Sequence, residues 1–203
     1  NTTNFDTLLR QSLFCGLSDG ARTDIFRRSN SGIISHEQIY QTYELSNIRA
    51  SKMQEGLGED LVKKYGNSLP EDAKKFKQLF LLDDFSASGS SYLKISEDGS
   101  LKGKIAALYD SIFSAISNLN SVFDTNSLQV HIILYLCTKQ AEDNINSVIP
   151  EITKKYKNTP KLHVLHLINN STIIVPGKDQ LIIDICKKED YYDIKIEDKH
   201  TGE

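Results

Sequence analysis

The chain has 203 residues, of which 39% are hydrophobic and 25% charged, and 24 basic against 27 acidic side chains leave a net charge of −3. That length can bury a self-sufficient core. The near balance of charge excludes the basic excess that non-specific binding to nucleic acid or to an anionic membrane needs, and no apolar run approaches the ~20 residues that cross a bilayer.

In chain order, Phe5, Leu8, Leu9 and Leu13 fall at helical spacing and predict a helix over Phe5–Cys15, with Gly16 as its stop. Ser18–Gly20 reads as a turn, and Asp24–Arg28 is too short to assign. Ile39, Tyr40, Thr42 and Tyr43 favour a strand over Gln38–Leu45. Asn47–Tyr65 carries Ile48, Met53, Leu57, Leu61 and Val62 along one side of a helix that Gly66 ends. Lys77–Asp83 is a continuous apolar run ending in two aspartates, the pattern of a strand buried on both faces. A helix over Lys102–Leu119, a strand over Gln129–Cys137, a helix over Ala141–Tyr156 containing Pro150, and a third buried strand over Leu162–Ile168 follow. Gln180–Tyr191 reads as helix and Glu197–Glu203 as a polar tail. Cys15, Cys137 and Cys186 are odd in number and far apart. They predict packed thiols in a reducing cytoplasm, with no disulfide framework or zinc spacing.

From Leu79 onward the order is strand, loop, helix, strand, helix, strand, which implies parallel crossovers. The predicted class is therefore α/β, with a parallel sheet and crossover helices in one domain over residues 1–203. Its core spans about residues 38–168, after an irregular N-terminal segment (1–37) and before a C-terminal helix and tail (178–203). Ligands collect beyond the C-terminal ends of such strands, where three loops would meet: Asp83–Ser91, Thr138–Gln140 and Asn169–Thr172.

The first of these loops, DDFSASGSS, has parts with separate physical jobs. Asp83 and Asp84 place carboxylates at the sheet edge, able to accept from a diol or attract a cation. Ser86, Ala87, Ser88, Gly89, Ser90 and Ser91 are small, so the backbone can approach a ligand, and Gly89 permits a tight turn. A helix starting soon after would turn its N–H groups toward a phosphate there. The bland alternative is a solvated loop in which the aspartates act as turn and cap residues. A P-loop is excluded because no lysine follows Gly89, and a dinucleotide fingerprint because the loop holds one glycine.

Four apolar residues, two acids and a hydroxyl-rich loop with one glycine resemble the phosphoribosyl-pyrophosphate (PRPP) motif of type I phosphoribosyltransferases. That motif reads DDxxxTGxT, and serine stands here at both threonine positions. The resemblance covers Leu79 to about Ile168 and implies a Rossmann-like, phosphoribosyltransferase-like fold. It implies that Asp83 and Asp84 hold ribose hydroxyls, with Mg²⁺ at the same carboxylates, and that Ser86–Ser91 wraps the phosphate. The segments LSDGARTDIFRRSN, HEQIYQTYELSN and IEDKHTG resemble a divergent group of phosphoribosyltransferase-like proteins from bacterial antiphage systems, some associated with retrons. That likeness implies a protein partner or a nucleoprotein defence complex. No Gly-rich pyrophosphate loop falls between Ile25 and Phe76, which favours a ligand-binding module over a transferase or nucleotide-ribose hydrolase. Retention of both aspartates favours the enzyme, and an unliganded scaffold is the third reading.

Arg27 and Lys139 are the cations placed to reach a phosphate, Arg27 as a guanidinium clamp and Lys139 from the loop after the second buried strand. His131, His163 and His166 lie in strands and are expected to pack rather than bind ligand, while His36 and Glu37 are candidate acid/base groups. His200 and the pair Tyr191 and Tyr192 are weaker candidates still.

Overall fold

A computed structural model describes residues 2–66, 71–114 and 119–188. In chain order it holds α1 (Thr2–Arg10), β1 (Ser12–Gly16), α2 (Thr23–Ser29), β2 (Ile39–Tyr40), α3 (Asn47–Tyr65), β3 (Gln78–Ser86), β4 (Lys94–Ile95), β5 (Leu101–Lys102) and α4 (Lys104–Phe113). These are followed by α5 (Leu119–Val122), β6 (Gln129–Thr138), α6 (Lys139–Tyr156), β7 (Lys161–Ile168) and α7 (Gln180–Cys186). The chain divides into two compact units, Asn1–Ile168 and Asn169–Glu203.

The first unit is α/β and Rossmann-like. Its five-stranded sheet has the order β2-β1-β3-β6-β7, and every neighbouring pair is parallel. The three strands predicted over 79–83, 129–137 and 162–168 are thus parallel neighbours. One face of the sheet (Leu79, Leu81, Val130, Ile132, Leu134) packs against α3 through Met53, Leu57 and Leu61, against α4 through Ile105 and Leu108, and against α6 through Ala141 and Ile145. The other face (Phe14, Ile39, Leu82) takes Ala21 and Ile34, with Leu9 of α1 and Phe26 of α2 beside them.

Several elements differ from the sequence reading. The first helix stops at Arg10, and Leu13–Cys15 belong to β1. All five residues of β1 are buried between β2 and β3, an environment that a one-sided amphipathic helix would not supply. Residues 1–37, expected to be irregular, therefore contribute two helices and a central strand. The strand over Gln38–Leu45 shrinks to Ile39–Tyr40, and Gln38, in the turn before it, serves as a buried clamp. Its side-chain amide donates to Leu9 O (2.6 Å) and Ser12 O (2.8 Å), and its Oε1 accepts from Ser35 N (3.2 Å). Gln38→Leu leaves those carbonyls without a donor, so we expect a loss of about 1–3 kcal/mol, read from the urea midpoint.

β7 is not buried on both faces. It is the outermost strand: Leu162 and Val164 face the core, whereas Leu165 is 68% exposed. Of the helix predicted over Lys102–Leu119, Lys104–Phe113 form α4, Leu119 opens α5 and residues 115–118 lie outside the described residues; an antiparallel hairpin, β4 with β5, precedes α4. Gly99 turns that hairpin at φ +77. α6 continues through Pro150.

In the second unit the described residues form a short turn at Asn170–Thr172 and α7. Cys186, expected to be packed, is exposed there, whereas Cys15 and Cys137 are buried. The predicted helical end beyond Lys188, Tyr191, Tyr192, His200 and the polar tail lie outside the described residues. No helix among the described residues is long and apolar enough to cross a membrane.

Candidate functional site

β1 and β3 are neighbours whose outgoing connections run in opposite directions, β1 to β2 on one side and β3 to β6 on the other. That reversal is a topological switch point beyond the carboxyl ends of the two strands, the place where open α/β sheets take ligands in a crevice. Two loops meet there: Leu17–Arg22 after β1, and the loop that follows Asp83 and Asp84.

The loops are tied together by Asp83. Leu17 N donates to Leu82 O at 2.8 Å, which carries the β1 chain alongside β3. Ser18 Oγ then donates to Asp83 Oδ1, while the same hydroxyl accepts from Gly20 N at 3.1 Å. Asp83 Oδ2 accepts from the Tyr92 hydroxyl at 2.7 Å, and Asp83 Oδ1 also accepts from Asp84 N at 3.0 Å. Asp83 is only 1% exposed. It is an internal brace. Burial, and then its hydrogen bond to Asp83, push the Tyr92 phenol well above its ordinary range.

Asp84 is the exposed member of the pair. Its Oδ1 accepts from Phe85 N at 2.9 Å. The β1 loop lies directly against it: a Cβ at Gly20 would sit 2.5 Å from either Asp84 oxygen, so any other residue there would have to turn the carboxylate aside. Two residues on, Arg22 holds a left-handed backbone (φ 47, ψ 42), an unfavourable conformation for a residue with a Cβ. A strained turn therefore borders the one solvent-facing carboxylate of the pair.

The serine-rich stretch has a different neighbour from the one expected. The hairpin separates it from α4, and the helix beside it is α6. Ala87 O accepts from Thr138 Oγ1, the N-cap of α6, and Ser88 O accepts from Asn144 Nδ2 at 2.8 Å. Ser88 Oγ and Ser90 Oγ are 2.8 Å apart, Ser86 is buried, and Ser91 is exposed. Gly89 has φ +76 and is buried against α6, where a Cβ would meet Ala141 O at 2.9 Å and Ile145 Cγ1 at 3.0 Å. The glycine is thus required by packing against α6.

Lys139 is not free for a phosphate. It opens α6, so the loop expected over Thr138–Gln140 is a cap and a first turn. Its ammonium pairs with Asp143 (2.7 Å) and Glu142 (2.9 Å), and these hydrogen bonds push it up to about 12. Arg27 stands on α2 and lines a separate cleft with His36, Tyr40 and Arg49. Glu37 is turned to Arg10 at 3.5 Å. His131 and His163 stack, with ring nitrogens 3.0 Å apart, and His166 is exposed on β7.

Ser18, Gly20 and Tyr92 complete the crevice without having been marked as site residues. The available signal was a second unit of the same kind, an apolar SLFC run followed by the small residues of SDG. No group of three His, Cys, Asp or Glu side chains capable of holding a metal occurs among the described residues. Asp83 does not suit Mg²⁺ either, because hydroxyl donors occupy both of its oxygens inside the core. Comparison with protein-family models, curated proteins and solved structures gives no match.

Proposed function

We propose that this protein is a phosphoribosyltransferase-like module that takes a phosphorylated ribose, PRPP or a nucleotide, in the crevice between β1 and β3. The observation that carries this reading is Asp84: a solvent-facing carboxylate at the sheet's reversal point, with a glycine held against it and a strained turn beside it. A carboxylate so placed can accept from both hydroxyls of a ribose diol. Asp83 holds the Ser18 loop in position and does not touch the ligand. Mg²⁺, where it takes part, enters with the ligand's own phosphates and gains Asp84 as its protein carboxylate. The likeness of LSDGARTDIFRRSN, HEQIYQTYELSN and IEDKHTG to antiphage proteins supports a cytoplasmic setting and a protein or nucleoprotein partner.

Calorimetric titration with PRPP and with nucleotides tests the reading. Asp84→Asn removes one charge-assisted acceptor, worth ~1.5–3 kcal/mol, so ribose-phosphate affinity should fall about ten- to a hundred-fold with an unchanged melting temperature. A binding module regains function at saturating ligand, whereas an enzyme also loses turnover there. Wild-type protein that binds no ribose phosphate would leave only the scaffold.

A further inference from the structure

The chain has five arginines, and three of them are neutralised by carboxylates. Arg10 pairs with Asp60 (2.8 Å) and Glu37 (3.5 Å), Arg28 with Asp24 (2.5 Å), and Arg22 with the same Asp24 (3.8 Å). Arg27 and Arg49 have no ion pair among the described residues, and both line one cleft of about 440 Å³ between α2, β2 and α3. Among the described residues Asp24 is the one acid lining that cleft, and Arg28 and Arg22 already hold it. The cleft is therefore left with a net positive charge.

Its walls are fixed in place. Arg49 lies over the Tyr40 ring, 5.4 Å from the centroid, a cation–π contact that engages the face of the guanidinium and not a carboxylate. At the end of β1 the backbone is so close that a Cβ on Gly16 would meet Gln41 O at 2.8 Å and Thr23 Cγ2 at 3.2 Å. Thr42 Oγ1 accepts from Glu44 N at 3.1 Å, so its hydroxyl hydrogen remains available to donate. Ile39 adds an apolar surface beside these donors. The volume suits a small molecule with an organic part rather than a bare ion.

We infer that this cleft binds the phosphate of a phosphorylated small molecule, with Arg27 and Arg49 as its paired guanidinium contacts. The inference is independent of the ribose reading, because none of the residues lining the cleft belongs to the loop after β3.

Inorganic pyrophosphate is the probe, titrated calorimetrically into the whole chain at fixed ionic strength. Arg27→Gln and Arg49→Gln should each weaken binding at least tenfold, and the double substitution should abolish it. Both side chains are exposed, so melting temperatures should stay within a few degrees of wild type. Asp84→Asn should leave pyrophosphate affinity within about twofold, which separates this site from the ribose crevice. Absence of pyrophosphate binding to the wild-type chain would overturn the inference. So would binding that survives in the double variant, since the anion would then sit elsewhere, as at the serine-rich loop.

Discussion

Gly89→Val should destabilise the protein by about 2–6 kcal/mol, enough to unfold a marginal domain at room temperature. Two costs combine. Valine at φ +76 occupies a backbone region worth roughly 1–3 kcal/mol of strain for a residue with a Cβ, and more for a β-branched one. Its side chain also meets the Ala141 carbonyl at 2.9 Å and Ile145 at 3.0 Å, and overpacking of that kind adds roughly 1–3 kcal/mol. Gly99→Ala is the control, because Gly99 has φ +77 with nothing within 4 Å of the added Cβ, so only the strain remains. Urea unfolding of the two variants separates the contributions. If Gly89→Val leaves the midpoint in place and only weakens ligand binding, the glycine serves ligand approach and the packing against α6 is not what fixes it.

The parts of this fold that were legible in the sequence are those whose burial is written in a local pattern. α3 carries its core face at helical spacing and ends on a glycine, and its observed limits coincide with the predicted ones. β3 and β6 are apolar runs that read as strands, although β6 alternates buried and half-buried residues from Val130 to Tyr135 and leaves Leu136 41% exposed. The failures share one physical cause, which is that tertiary neighbours decided them. Leu13 lies at helical spacing from Leu9, yet pairing with β2 and β3 draws it into the sheet. Leu165 and Leu167 look like core residues within LHVLHLI, but the hydrophobic cluster on the second face of the sheet draws on β1, β2, β3 and β6 and leaves β7 uncovered there. The hairpin of β4 and β5 did have a local signal, Asp98 followed by Gly99, but each of its strands is two residues long, too short for alternation to show ahead of the helix predicted from Lys102.

The site divides in the same way. The chemistry of the two aspartates is visible in sequence, but their separate fates are not. β-strand alternation sends adjacent side chains to opposite faces, so Asp83 turns inward to Ser18 and Tyr92 while Asp84 turns toward solvent. Gly20 could not be tied to Asp84 without knowing that β1 and β3 are neighbours. Lys139 reads as a loop cation until α6 is seen to begin there and bring Glu142 and Asp143 to it. Arg27 and Arg49 are 22 positions apart in the chain and meet only because α2 and α3 flank β2.

Stability should collapse above about pH 10, at a rate that reports on the Asp83 brace. Cys15, Tyr92 and Tyr109 are each at most 3% exposed. Burial pushes the Cys15 thiol above its ordinary value of about 9, and burial pushes the Tyr92 and Tyr109 phenols above theirs of about 10. The folded chain therefore keeps all three protons at a pH where the unfolded chain has released them. Each such group lowers the unfolding free energy by about 1.4 kcal/mol per pH unit, so three together remove about 4 kcal/mol per unit. The stabilisation is complete below about pH 9 and is lost as pH rises through 10 and 11. Tyr92→Phe takes one proton out of the balance and should reduce that alkaline slope by about 1.4 kcal/mol per pH unit. The same substitution deprives Asp83 of one of its two hydroxyl donors, so stability at neutral pH should fall by about 1.5–3 kcal/mol, the range for a hydrogen bond to a charged group. Denaturant midpoints of both proteins, measured from pH 7 to 11, give the two quantities in one series. An unchanged slope would mean that Tyr92 ionises as it does in the unfolded chain. Its hydroxyl would then be solvated rather than buried against Asp83, and Asp83 would join Asp84 as a carboxylate open to a ligand.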